Sequence, residues 1–433
     1  MSDQPPPAAP PRYTILAIRG FLRERASLLR DYTTAVSGSA GRLIFSLLYF
    51  VALANTLSIA EFGLFATASA AGVMLSRILA FGFISALYRI ATVRPLLIGT
   101  FTAGFLALAL ASLPVLGLAS LATFQMFFAG QMALAVFAAV IAAEALLWRP
   151  VEVVVIVNNG MNRFGRAAIL VILGTVLRAG AASVFAFWPT QDLATWSLFY
   201  LAANAVSLIV ALLFFQPRSR LRWKPRFYLA KLPDSLYVAG AEMLFYLQME
   251  MDKLLVLALG GPHLAGIYAI IMRLVDLTAI PIRTFTMMLV QRLMRTPDML
   301  ARLIQRAGIE GGIFAVSTAA LAGLALILHF FPNLLGRNIA EASPLIVLAL
   351  FIPGLRNLVE YHAELLFARG QTLLRAVNLL LLALGKAALL ALLLMRPLEV
   401  ETLVLALNGA FALLYVMSAV LTYTAMRRPA KTV

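Results

Sequence analysis

The chain has 433 residues, 62% of them hydrophobic and only 12% charged, with a formal net charge of +16. A soluble globular domain carries about 25% charged and about 45–50% apolar residues, so this balance excludes an ordinary soluble protein and makes the bilayer the solvent. At about 20 apolar residues per membrane helix, the length accommodates roughly a dozen spans and leaves little for a folded external domain, which argues against an enzyme. The absence of Cys removes disulfides, thiolate nucleophiles and zinc–thiolate sites. His263, His329 and His362 are scattered without metal-ligand spacing, so neither a metal nor a cofactor is expected.

In chain order, MSDQPPPAAPP lacks the basic and apolar regions of a signal peptide. Between Thr14 and Arg30, Ile15, Ile18, Phe21 and Leu22 alternate with Arg19, Arg23 and Arg25, as in an amphipathic helix lying on a membrane surface. Residues 1–35 therefore read as a disordered and then amphipathic segment. Six apolar runs, near 38–58, 64–88, 95–118, 131–153, 166–187 and 195–215, make a first lobe over 36–216. A basic linker follows at 217–233, within PRSRLRWKPRFYLAK, which suits anionic membrane lipids. Six further runs, near 235–258, 264–290, 307–330, 343–366, 373–395 and 402–424, make a second lobe over 234–425, and 426–433 is a tail.

Charge sets the orientation, because Lys and Arg are retained on the cytoplasmic side. With the N-terminus inside, the cytoplasmic segments collect 25 of the 35 basic residues, among them Arg89, Arg94, Arg149, Arg163, Arg166, Arg369 and Arg375, while the opposite face holds only Arg337 and Arg396. Both termini are thus expected in the cytoplasm of a multi-pass plasma-membrane protein, and the +16 needs no nucleic-acid partner. Trp148, Trp188, Trp196 and Trp223 fall at or just beyond expected span ends, where aromatic belts form.

The two halves carry a weak repeat. Arg149, Glu152, Gly160 and Arg166-Ala167 align with Arg356, Glu360, Gly370 and Arg375-Ala376 at offsets of 207 to 210, and Gly63 aligns with Gly266 at 203. Parallel repeats of six spans are a transporter architecture, with the substrate between the lobes.

Eight basic residues remain within the spans: Arg42, Arg77, Arg178, Lys253, Arg273, Arg283, Arg356 and Lys386. Each costs about 2.5–3.5 kcal/mol at the bilayer centre on insertion scales, so they are expected to line an internal cavity or to be paired. Local pairing is available to Arg273, Asp276 and Arg283 on one helix face, to Glu250 with Lys253, and to Arg356 with Glu360. Arg42, Arg77, Arg178 and Lys386 have no acid within four positions, so each needs a partner across helices or an anionic ligand. Arginine's planar donor fork favours phosphate or carboxylate. Glu144, Glu242, Asp252 and Asp276 are the acids placed to take a coupling proton or sodium ion.

The stretch LSIAEFGLFATASAAGVMLSRILAFGFISALYRIA, from Leu57, resembles the first-to-second-span signature of bacterial polysaccharide flippases, the O-antigen and exopolysaccharide exporters of the multidrug, oligosaccharidyl-lipid and polysaccharide (MOP) exporter superfamily. Glu61-Phe62-Gly63 and Gly82 carry that likeness. MDKLLVLALGGPHLAGIYAIIMRL, from Met251, is similar to its counterpart in the second lobe, and GMNRFGRAA, from Gly160, to the entry of the fifth span. MRPLEVETLVLALNGAF departs from the pattern in lacking a glycine-rich turn. The resemblance implies an all-α, MATE-like fold of twelve transmembrane helices in two pseudo-symmetric lobes. It also implies flipping of an undecaprenyl-pyrophosphate-linked oligosaccharide across the inner membrane, with a polysaccharide polymerase and export machinery as further partners. The cationic site would comprise Arg42, Arg77, Arg178, Arg273, Arg283, Arg356 and Lys386. An ion-coupled small-molecule exporter of the same superfamily is the alternative transporter, and a membrane-bound polymerase or ligase the alternative of another class.

Overall fold

The structure, a computed structural model, describes residues 41–295 and 303–427; the expected amphipathic segment at 14–30 lies outside them. Among the described residues the chain is helical throughout, without a strand. The helices are α1 (Gly41–Thr56), α2 (Ile59–Leu75), α3 (Ile84–Val93), α4 (Ile98–Phe127), α5 (Leu134–Ile141), α6 (Arg149–Gly160), α7 (Phe164–Ala186) and α8 (Leu193–Val210). They continue with α9 (Pro225–Arg295), α10 (Leu303–Phe330), α11 (Arg337–Leu348), α12 (Ile352–Ala368), α13 (Thr372–Leu394) and α14 (Val400–Met426). Eight helices among the described residues are long and apolar enough to cross a bilayer, or nine when α11 and α12, bent by 73°, are counted together as one span. The chain is a multi-pass membrane protein.

The remaining expected spans also fall on helices, which are short, interrupted or charged. The expected break at 259–263 is a single residue, Gly261, whose φ of 79° lies in the left-handed region inside α9. The span expected at 64–88 is interrupted: after α2 a tight helical stretch, Ser76–Gly82, contains Leu79, Ala80 and Phe81 off helical geometry, with φ of 55° at Ala80 and 48° at Phe81. The Ala80 amide donates to Ser112 Oγ at 2.9 Å, so α4 supplies the partner that the broken ladder lacks. Between α5 and α6 the helix widens into a π-helical segment, Ala142–Trp148, making one continuous helical rod from 134 to 160.

At one end of the bundle the basic loops lie together. Arg166 donates to the Phe214 carbonyl at 2.5 Å, Asn158 to that of Phe215 at 3.1 Å, and Arg369 to that of Met426 at 2.6 Å. At the opposite end the two halves of the chain interlock. Asn55 Nδ2 donates to the Leu335 carbonyl at 2.7 Å, and Asn338 Nδ2 donates to the Ala54 and Leu57 carbonyls, each at 2.8 Å. A Ser58–Glu61 capping box starts α2, and Glu61 also accepts from the Leu193 amide at 3.1 Å. Beside it Gly63 and Gly266, aligned in the repeat, meet face to face: a Cβ on Gly63 would lie 2.4 Å from the Gly266 nitrogen.

Of the tryptophans, Trp188 and Trp223 are exposed near span ends as expected. Trp196 instead packs wholly buried against Phe65, Phe185 and Tyr200, and Trp148 lies in the middle of the 134–160 rod. Continuation of the rod to Gly160 moves Trp148 inward from the end expected at 153.

Candidate functional site

Two cavities lie between the halves. The smaller, about 270 Å³, is lined from the first half by Tyr49, Ser69, Glu144, Trp148, Arg178 and Tyr200, and from the second by Glu250, Lys253, Arg273 and Asp276. The larger, about 650 Å³, reaches toward the basic end and is lined by Arg42, Arg77, Trp148, Arg149, Glu152, Glu242, Tyr246 and Arg375. Trp148 is common to both walls.

Local sequence aims these side chains inward. Glu144 and Trp148, four apart in the π-helical segment, share one face, and π-helical turns recur at functional sites. Glycines make room for both: a Cβ on Gly72 would lie 2.9 Å from the Glu144 side chain, and one on Gly174 would lie 2.4 Å from the Trp148 ring. Glu144 accepts from Ser69 Oγ at 2.6 Å and from the Tyr200 hydroxyl at 2.5 Å, so its carboxylate is held by hydroxyls, with no salt bridge among the described residues.

The guanidinium groups divide into two sets. Arg77 pairs with Glu152 at 3.1 Å and stacks on Tyr246 at 4.1 Å, while Arg149 bridges Glu152 at 2.7 Å and Glu242 at 3.0 Å. This network joins α6 and the stretch after α2 to α9, that is, the two halves of the chain. Arg283 pairs with Asp276 and Glu360, and Arg356 with Asp276 at 3.3 Å. The Arg356–Glu360 pair expected along one helix is thereby replaced by pairs across helices, whereas Lys253 does meet Glu250, at 2.5 Å. Lys386 sits on Asp252 at 3.0 Å and lines neither cavity, so it is not a cavity cation. Arg283 and Arg356 likewise lie off both linings, and Asp276 is neutralised by them.

The second set comprises Arg42, Arg178 and Arg273, for which no carboxylate lies within ion-pair distance among the described residues. Arg178 donates from Nε and Nη2 to Asn204 Oδ1, at 3.1 and 2.6 Å, and stacks over Trp148 at 4.0 Å. Arg273 donates to Ser46 Oγ at 2.6 Å, leaving the Asp276 offered by its own helix to Arg283 and Arg356. These three project onto the cavity walls with guanidinium donors free for an anion. Trp148, Arg149 and Glu152 line the larger cavity, although sequence placed Arg149 in a cytoplasmic segment and Trp148 in an aromatic belt and named Glu152 only within the repeat. Their signal was the Arg149–Glu152 element of the repeat.

No protein-family model and no curated protein matches the chain. Solved structures do. An inward-facing multidrug resistance MATE family transporter of the MOP superfamily is similar at a TM-score of 0.62 and 14% identity, covering 89% of this chain and 94% of its own. The outward-facing conformation of such a transporter gives 0.57 at 13%, covering 90% and 93%. A MOP superfamily transporter from Pyrococcus furiosus, described as having a binding pocket of reversed polarity that suggests a different function, gives 0.58 at 14%, covering 90% and 91%. The chain has the MATE transporter fold.

Proposed function

We propose that the chain is a flippase that moves an anionic lipid-linked oligosaccharide, of the undecaprenyl-pyrophosphate class, across the bacterial inner membrane by alternating access, with both termini in the cytoplasm. The observation that carries this reading is the set of guanidiniums on the cavity walls, Arg42, Arg178 and Arg273, that form no salt bridge among the described residues. Cationic donors inside a membrane are retained where a ligand or partner compensates them, and phosphate oxygens match their geometry. Trp148, stacked on Arg178, offers a sugar ring an apolar face next to that charge.

The interlock of Asn55, Asn338, Gly63 and Gly266 closes the end opposite the basic loops, and the larger cavity extends toward the basic end. This is the asymmetry needed to load substrate from the cytoplasm. The test is deletion of the gene followed by analysis of lipid-linked intermediates and surface polysaccharide. Accumulation of a cytoplasmic-leaflet glycolipid, relieved by the wild-type chain and not by Arg178→Ala or Arg273→Ala at equal abundance, is the expected result; normal intermediates would overturn the reading.

One observation favours a second reading, an ion-coupled small-molecule exporter. Glu144 is a cavity carboxylate that forms no salt bridge among the described residues, suited to a coupling proton or sodium ion. Under that reading deletion raises sensitivity to cationic compounds, Glu144→Gln reproduces the effect, and polysaccharide is unchanged.

A further inference from the structure

Lys386 is almost wholly enclosed, 2% exposed, on α13, against an Asp252 that is 1% exposed on α9. Its Nζ lies 3.0 Å from Asp252 Oδ2, 2.9 Å from the Gln248 carbonyl and 3.4 Å from the Met249 carbonyl. An ammonium has three donors and no acceptor, and here three oxygens from one turn of α9 receive them. The other carboxylate oxygen, Asp252 Oδ1, is buried with no hydrogen-bond partner, and Tyr268 donates its hydroxyl to Oδ2 at 2.6 Å. A carboxylate with backbone carbonyl oxygens is the donor set of a hard cation, and a buried oxygen left over is a ligand not yet used.

We infer that Lys386 is a built-in cation: its ammonium fills an oxygen cage formed by Asp252, Gln248 and Met249 that would otherwise bind a free monovalent metal ion. Among the described residues the first half of the chain has no equivalent. Arg178, in the fifth expected span of that half, stays on the cavity wall and bonds a neutral amide. Tethering makes the cation permanent, so the contact of α9 with α13 is independent of sodium or potassium in the surroundings. Asp252, a carboxylate placed by sequence where a coupling ion would bind, is occupied by this tether.

The experiment uses the purified full-length chain and needs no transport substrate, so failure of the flippase reading does not decide it. Thermal unfolding is followed in sodium, potassium and choline chloride at equal ionic strength. The parent is expected to show the same midpoint in all three salts. Lys386→Ala is expected to lose several degrees in choline and to recover part of that loss, saturably, in sodium or potassium, because a ligand that binds only the folded state stabilises it by mass action. Methylammonium, which replaces the missing head group, is expected to rescue as well, and the double variant Lys386→Ala/Asp252→Asn to lose every cation-specific effect. Lys386→Met, which keeps most of the stem volume, serves if the alanine variant does not fold. Equal midpoints of the single variant in all salts, a cation effect that survives in the double variant, or a sodium effect in the parent that Asp252→Asn abolishes would each overturn the inference.

Discussion

Gly266→Ala tests the interlock between the halves directly. The added Cβ would lie 2.0 Å from the Ile59 carbonyl oxygen and 2.7 Å from its carbon, where ordinary contact begins at 3.4 Å. The obstructing atoms are backbone of the α2 start, fixed by the Ser58–Glu61 capping box, so no rotamer change relieves the overlap and α2 must move by about 1.4 Å. Overpacking of this kind costs about 1–3 kcal/mol, and backbone against backbone belongs at the upper end. If the cost falls only on the state closed at this end, about 3 kcal/mol shifts the closed-to-open ratio on the order of a hundredfold. The chain has no Cys, so spin labels at Gln191→Cys and Leu334→Cys, one from each half, read the separation without background. The expected result is a longer mean distance and a lower unfolding midpoint for Gly266→Ala, reproduced by Gly63→Ala. Gly240, in the same helix α9 with nothing within 4 Å of its added Cβ, is the control, and Gly240→Ala should leave the distance unchanged and raise helix stability by up to about 1 kcal/mol. Indistinguishable distances in the Gly266 and Gly240 variants would refute the reasoning.

Arg149→Met leaves Glu242 with Arg77 alone, 3.9 Å away, and removes one of two cations from Glu152, so a loss of about 1–3 kcal/mol is expected, part of it restored in Arg149→Met/Glu242→Gln; chemical denaturation of both variants checks this. Glu310 accepts from Tyr415 at 2.6 Å and from Tyr423, and faces His362 Nε2 at 3.2 Å, tying α10, α12 and α14 together. Glu310→Ala should therefore cost about 1–3 kcal/mol, with hydrogen exchange rising first in α10 and α14. Asp192 lies in the loop before α8 and accepts from the Thr195 amide at 2.7 Å, a bond that holds its carboxyl below the usual carboxylate range. The charge-dependent part of its cap contribution is complete above the unfolded-state value and disappears as pH falls through the depressed folded value. Asp192→Ala should thus cost about 1 kcal/mol at neutral pH and less once the carboxyl is protonated, when only a neutral acceptor remains, read from unfolding midpoints at both pH values.

What the sequence made legible follows from the kind of signal each feature leaves. Long apolar runs such as Ile98–Phe127 and Val400–Met426 announce themselves because the bilayer demands length and apolarity together. The interruption at Ser76–Gly82 leaves almost none: Leu79, Ala80 and Phe81 are unremarkable residues, and the hydrogen bond that permits the break comes from Ser112, on a helix that begins 16 residues beyond Gly82. Trp148 looked like an interface residue because the rod carrying it was expected to end five residues later; the site depends on that rod running through to Gly160.

The arginines mark the limit more sharply. Absence of an acid along the same helix placed Arg42, Arg77, Arg178 and Lys386 in one class, yet the bundle divides them. Arg77 and Lys386 find carboxylates on α6 and α9, because helices far apart in sequence pack side by side, while Arg42 and Arg178 find none within ion-pair distance among the described residues. Arg273 crosses the opposite way: sequence offers it Asp276 three positions on, but that carboxylate accepts from Arg283 and faces Arg356, and Arg273 is left to a hydroxyl. Spacing along one helix states which pairs can form, and competition across helices decides which do. The functional charge is therefore the remainder after that competition, so neutralising Arg42, Arg178 or Arg273 should impair transport more than stability, whereas neutralising Arg77, Arg149 or Lys386 should impair stability first.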